Sequence, residues 1–310
     1  SPWNFPVNLA FVPLVSIFAA GNQVMHKPSE HTPITSSLLK DLCDKSFDET
    51  EFATFLGGPE VGESFTQLNF DHLLYTGGGS VAKHVMNAAS KNLVPCTLEL
   101  GGKSPVVIGK SADLKTTAKR IMFGKTLNAG QICLAPDYVV VHKDQKDEFI
   151  KETKEAVSQY YPTLKDNEDY TSVINEKHYD RLKDLLSDAI EKGAHVDEIN
   201  PSNEDFSQQE FYKIPPTIVT NTSDDMKIMQ EEIFGPLLPV VEYDGIDEAT
   251  ALINSKDRPL GLYYFGNNSS EENDLLNKTS SGGVTVNNVI SHLQQNDLSF
   301  GGVGPSGMGR

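Results

Sequence analysis

Hydrophobic and polar positions alternate between two rhythms along this chain. Gln23 to Lys27, Glu51 to Leu56, His72 to Thr76 and Thr97 to Leu100 are short apolar or β-branched runs that predict strands. Helix-like stretches separate them. Thr32 followed by Pro33 supplies an N-cap and a proline at the first helical position, opening a helix through Leu42. Glu60 to Leu68 is a second helix. Ser80 to Lys91, after Gly77-Gly78-Gly79, is a third. This alternation predicts a mostly parallel sheet with helices on both faces. The apolar run Phe5 to Ala20 reads as a buried helix leading into the first strand. It has no charged leader, contains Pro6, Asn8 and Pro13, and is too short to span a bilayer.

The rhythm continues past Gly101-Gly102, which marks the expected domain boundary. Pro105 to Ile108 and Tyr138 to His142 are β-branched strands, with a helix-like segment, Asp113 to Leu127, between them. Glu148 to Tyr160 and Lys177 to Lys192 are amphipathic helices, and Asn200 to Gln209 is a polar loop. Strands return at Thr217 to Val219, Leu238 to Glu242, Leu262 to Phe265 and Val284 to Val286. The predicted fold class is therefore α/β throughout, without repeats or low-complexity tracts.

Composition narrows the function. The net charge of −17 would repel the phosphates of a nucleic acid, which excludes a duplex binder. The acidic residues are spread over helix faces and serve solubility. Cys43, Cys96 and Cys133 are too few, and odd in number, for a disulfide framework, so a reducing, cytoplasmic compartment is expected. The eight histidines form no close metal-binding pair, and no metal site is expected.

Two positions carry candidate chemistry. Cys133 ends the stretch Asn128-Ala129-Gly130-Gln131-Ile132-Cys133, where Gly130 and Pro136 bracket a turn that could expose a thiolate. Cys43 and Cys96 read as ordinary buried thiols. Glu99, between Leu98 and Leu100, is a carboxylate whose burial would suit it to act as a base. A thiol nucleophile and a separate carboxylate are the parts needed to form a covalent acyl intermediate and then activate water against it. Gly77, Gly79 and Ala82 satisfy G-x-G-x-x-A before a helix. The acidic residue expected some twenty positions on is not evident, so this is not the usual dinucleotide fingerprint.

These motifs, in this order and spacing, resemble the aldehyde dehydrogenase superfamily. Pro2-Trp3-Asn4-Phe5-Pro6, Lys27-Pro28-Ser29-Glu30, Glu231-Glu232-Ile233-Phe234-Gly235-Pro236 and Ser299 to Gly307 agree with it, so the resemblance runs along the whole chain. It implies a Rossmann-like cofactor domain, residues 1–102, incomplete at its N-terminus, and an α/β catalytic domain, residues 103–310. It implies that Cys133 attacks the aldehyde, that Glu99 activates the deacylating water, and that the Asn4 amide and the Cys133 N–H form an oxyanion hole. Lys27, Glu30, Gly77, Gly78, Leu100, Glu232 and Phe234 would bind the cofactor. A carboxylate at Glu30 favours NAD, with NADP possible. Phe5, Ile132, Leu134 and Phe300 would line the aldehyde pocket. Relatives often carry Ser or Asn at position 78, so Gly78 removes one side-chain contact to phosphate.

Three details look like the class 3 branch: Ala135-Pro136-Asp137-Tyr138, the stretch Gly282 to Val289, and the closing Gly-Gly-Val-Gly-Pro-Ser-Gly-Met-Gly. Gln295-Asn296-Asp297-Leu298 resembles bacterial coniferyl aldehyde dehydrogenases, which implies oxidation of an aromatic aldehyde to its acid. A homodimer is expected of the full-length protein. The chain opens inside one motif and stops just after another, so a fragment is expected. Two other readings stay open: a thiol esterase that works without cofactor, and an inactive or binding-only fragment.

Overall fold

The structure is a computed structural model that describes residues 1–309. The chain divides into two compact units: Ser1–Leu100 with Gly309, and Gly101–Met308.

The first unit runs α1 (Asn8–Ala19), β1 (Val24–His26), α2 (Pro33–Ser46), β2 (Phe52–Thr54), α3 (Pro59–Thr66), β3 (Leu73–Thr76), α4 (Gly79–Ser90) and β4 (Cys96–Glu99). Pro33 does open α2, but the Thr32 side chain makes no capping bond. β1 and β2 pair in parallel with Val24 opposite Phe52, and β3 and β4 pair in parallel with Leu73 opposite Cys96. The single sheet expected from the alternation is instead two ladders that do not join. Alternation reports strand type and connection, not lateral order. Helix α1 also departs from expectation. Ala10 and Leu14 are buried one turn apart, while Val12 and Val15, on the opposite face, are 65% and 72% exposed. Leu14, Cys43 and Phe52 form one small core, and Leu73, Val85, Ala89 and Val94 another.

The second unit contains β5 (Pro105–Ile108), α5 (Leu114–Thr126), β6 (Tyr138–His142), α6 (Lys146–Tyr160), α7 (Glu176–Glu191), β7 (His195–Glu198), β8 (Thr217–Thr220), α8 (Lys227–Gln230), β9 (Leu237–Tyr243), α9 (Ile246–Asn254), β10 (Gly261–Phe265), α10 (Ser269–Lys278) and β11 (Gly283–Val286). Seven strands form one sheet in the order β11-β10-β5-β6-β9-β8-β7, all parallel except β7 against β8. Tyr138 and Val140 face one core cluster, and Val139 and Val141 the other. Both faces are therefore covered, which is why β6 reads as an unbroken apolar run. Helix α5 begins at Asp113, whose carboxylate accepts from the Thr116 N–H at 2.8 Å. Among the described residues no helix is long and apolar enough to cross a membrane.

Candidate active site

Helix α5 ends at Thr126, and the backbone then reverses hand. Asn128, Ala129 and Gly130 take φ values of 50°, 51° and 73°. Of these three consecutive left-handed residues, the two that are not glycine cost on the order of 1–3 kcal/mol each and persist only when their surroundings hold them. Gly130 has a further reason to be glycine: a Cβ there would lie 2.4 Å from the Gly235 carbonyl oxygen. The turn thus packs directly on the Glu231 to Pro236 segment.

Gln131 supplies the restraint. It is 2% exposed, and its amide donates to the carbonyls of Asn128 and Ser172, both at 3.0 Å. Its side-chain oxygen accepts from the Ile174 N–H at 2.9 Å. The reversed turn is thereby pinned to a segment some forty residues on in the chain, immediately before the thiol. Cys133 is half-buried and forms no disulfide. Its neighbours Ile132 and Leu134 are buried, and Phe300 is half-buried.

A frame of buried charges shapes the Glu231 to Pro236 segment. Lys103 forms an ion pair with Asp137 and donates to the carbonyls of Ile228 at 2.7 Å and Glu231 at 2.8 Å. The second Asp137 oxygen accepts from the Ile233 N–H at 2.8 Å. Arg181 donates to the carbonyls of Glu232 and Ile233. Phe234 is left in a left-handed conformation, φ 50°. The Glu232 carboxylate lies so close to Gly101 that a Cβ there would meet it at 2.2 Å. Burial, and then the nearby Asp137 charge, push its carboxyl up to about 8, against the pull of the Gly102 amide, Lys103 and Arg181. Lys125 is wholly buried beside this frame, and burial lowers its ammonium to about 8.

In the first unit, Lys27 follows β1 and reaches Glu30 at 3.1 Å, with the carboxylate the more exposed partner. Burial works against the Glu30 carboxylate, but its hydrogen bonds and the Lys27 charge outweigh it, so the group sits below its ordinary value. Gly77 follows β3, and a Cβ there would collide with the Tyr75 hydroxyl at 2.3 Å. Gly78 and Gly79 begin α4 with nothing within 4 Å of where their side chains would stand. Glu99 ends β4, half-buried, opposite Thr76. Its carbonyl accepts from the Gly77 N–H at 3.1 Å. Asn4 and Phe5 are half-buried and Leu100 is buried.

Folding therefore brings Lys27 to Glu30, and Gly77 to the end of the Glu99 strand, within the first unit. Within the second it brings the Cys133 turn against the segment bearing Glu232 and Phe234. Lys103, Lys125, Asp137, Gln131 and Arg181 were not foreseen as contributors. Gln131 and Asp137 lie inside motifs that carry the resemblance, but nothing local marked their side chains as the supports of those motifs.

The chain belongs to the aldehyde dehydrogenase family, whose model matches residues 1–310. It is 60% identical over 309 residues to a Caulobacter vibrioides protein named as a probable coniferyl aldehyde dehydrogenase, covering 100% of this chain and 64% of the relative. It is 54% identical to the coniferyl aldehyde dehydrogenase of Pseudomonas sp. strain HR199, again over 100% and 64%. A solved structure of Staphylococcus aureus AldH in a substrate-bound state superposes with a TM-score of 0.94 at 40% identity, covering 100% of this chain and 66% of that one. Betaine aldehyde dehydrogenase from the same organism, in complex with NAD+, gives a TM-score of 0.87 at 28% identity, covering 100% and 62%. The chain thus spans 64% of the length of the two coniferyl relatives it matches.

Proposed function

We propose that this chain carries the nucleophile and cofactor-binding residues of an NAD(P)-dependent enzyme that oxidises an aromatic aldehyde of the coniferyl type to its carboxylic acid. The observation that carries the reading is the chain-long family match, in which Cys133 stands at the end of a strained turn pinned by Gln131. A nucleophile gains from such rigidity because misplacement of the reacting atom is costly.

The residues of the first unit fit a dinucleotide. The open start of α4, with no side chains on Gly78 and Gly79, leaves its backbone N–H groups able to receive a pyrophosphate. Glu30, partly exposed beside Lys27, is the carboxylate we assign to accept from a ribose hydroxyl, a reading its exposure supports. Its negative charge disfavours a 2′-phosphate, so NAD is the preferred form. When bound, the dinucleotide supplies the two-electron oxidant.

The protein's own part follows in sequence. The Cys133 thiolate adds to the aldehyde carbon, giving a thiohemiacetal, while the Asn4 amide and the Cys133 N–H donate to the oxyanion. After oxidation an acyl thioester remains on Cys133. Glu99 takes a proton from water, which attacks the thioester and releases the acid and the thiol. The substrate assignment is supported by the names of the two coniferyl relatives. A cytoplasmic homodimer belongs to the same reading, the compartment supported by the few, odd cysteines and the dimer by the class 3 motifs.

Reduction of NAD monitored across a panel of aldehydes tests it. Cys133→Ala should abolish turnover, while Cys43→Ala and Cys96→Ala stay near the parent. Glu99→Gln should give a first burst of reduced cofactor, then slow turnover with a covalent adduct visible by intact mass. Sustained aldehyde oxidation by Cys133→Ala would refute the assignment.

A further inference from the structure

Tyr263 sits in the middle of β10 and is wholly buried. A buried hydroxyl needs a partner, and this one donates to the Leu134 carbonyl at 2.6 Å, one residue past the candidate nucleophile. A Cβ on Gly261 would stand 3.0 Å from both the hydroxyl and the Leu134 side chain, so the glycine leaves room for the pair to meet. The Ile290 backbone amide also approaches the hydroxyl. Ile290 takes φ 64°, a rare conformation for a β-branched residue, and precedes the turn Ser291–Gln294.

That turn leads back to the aldehyde-facing residues. The His292 ring meets Tyr263 at a tilt of 46°, 6.3 Å between centroids, and stacks on Phe300 at 6.3 Å and 25°. Its Nδ1 is 2.8 Å from the Thr285 hydroxyl on β11. The chain of contacts runs Leu134, Tyr263, His292, Phe300, entirely within the second unit.

We infer that Tyr263 is a positioning residue: its hydroxyl holds the backbone beside Cys133 while its ring packs on His292, which stacks on Phe300, so that thiol and pocket aromatic keep one spacing. The inference rests on the proposed function in taking Cys133 as nucleophile and Phe300 as part of the aldehyde pocket. Tyr263 itself touches neither substrate nor cofactor in this role.

Tyr263→Phe removes the hydroxyl and little else. Its effect is read first without cofactor, as the pH profile of iodoacetamide alkylation at each cysteine, followed by peptide mass spectrometry. Alkylation of Cys133 should change in rate or in pH midpoint, while Cys43 and Cys96 behave as in the parent. kcat/KM for coniferyl aldehyde should fall roughly tenfold to a hundredfold, as expected of a displaced nucleophile. Thr285→Val frees His292 but leaves the Tyr263 tie intact. It should raise KM with parent-like alkylation of Cys133.

An unchanged Cys133 profile in Tyr263→Phe overturns the inference. So does a change shared equally by all three cysteines, which would mean general loosening. If Tyr263→Phe does not fold, Tyr263→Met, which also lacks the hydroxyl, decides: an alkylation change confined to Cys133 supports the tie, and an unchanged Cys133 profile overturns it. Failure of the proposed function is separate, since it would appear as aldehyde oxidation surviving in Cys133→Ala.

Discussion

The two units solve the same packing problem to different degrees. In the second, β5, β6, β8 and β10 are buried at every position, because seven strands share one sheet with apolar clusters on both faces. In the first, no strand is buried along its whole length, and the strands form two separate parallel ladders. Its helices show large apolar residues to solvent, including Ile34 at 86% and Val15 at 72%. The difference teaches that strand number and lateral continuity, more than strand composition, decide how completely a parallel sheet removes its side chains from water. It also separates two kinds of candidate site. The second unit packs the Cys133 turn against a segment held by a framework of buried charges. The first presents Lys27, Glu30 and the start of α4 at open strand ends.

Breaking the charge frame should have the largest effect. Asp137→Ala strands the buried Lys103 ammonium and the Ile233 N–H, and should destabilise the second unit by about 3–5 kcal/mol in urea unfolding. A loss below about 1 kcal/mol, the scale of an exposed pair, would show that the frame is not needed to hold the Glu231 to Pro236 segment.

The pH response should divide the units next. Glu232, raised to about 8 by burial and then the Asp137 charge, keeps its proton in the folded state where the unfolded chain has lost it. The folded state therefore binds more protons between the ordinary carboxylate value of 4.5 and about 8. Through Glu232, stability of the second unit should fall as pH rises through that window. Glu232→Gln should gain on the parent across the same window. His26 in the first unit is lowered to about 3, chiefly by burial and also by the Lys27 charge. It stays neutral when folded, so acid favours the unfolded chain. Stability there should fall as pH drops from 6.5 towards about 3, and His26→Gln should flatten that limb. Unfolding midpoints followed with probes in each unit read both trends. A parallel response of the two units would remove the contrast.

The smallest effect belongs to the exposed face of α1. Val15→Ser should shift stability by no more than about 0.5 kcal/mol, whereas Leu14→Ala, one position away but buried, should cost roughly 2–5 kcal/mol. Equal costs in thermal unfolding would mean that the outer face of the helix is covered in solution.

Much of this molecule was legible in its sequence because the relevant physics is local. A β-branched run such as Tyr138 to His142 specifies a strand, and Thr32-Pro33 specifies the start of a helix, whatever lies elsewhere. Lys27 and Glu30 meet because they are three residues apart. Motif spacing was also enough to single out Cys133 and Glu99 and to place the chain in its family. Tertiary structure alone decided the rest. It set the lateral order of the strands, the antiparallel place of β7, and which face of α1 is buried. It joined Lys103 to Asp137, 34 residues away, and to Glu231, 128 residues away, in the frame around Glu232. It also turned Asn128 to Gly130 left-handed and let Gln131 hold them so. Such features are free energies of contact between distant segments. Local periodicity carries no information about which distant partner will satisfy a buried charge or amide.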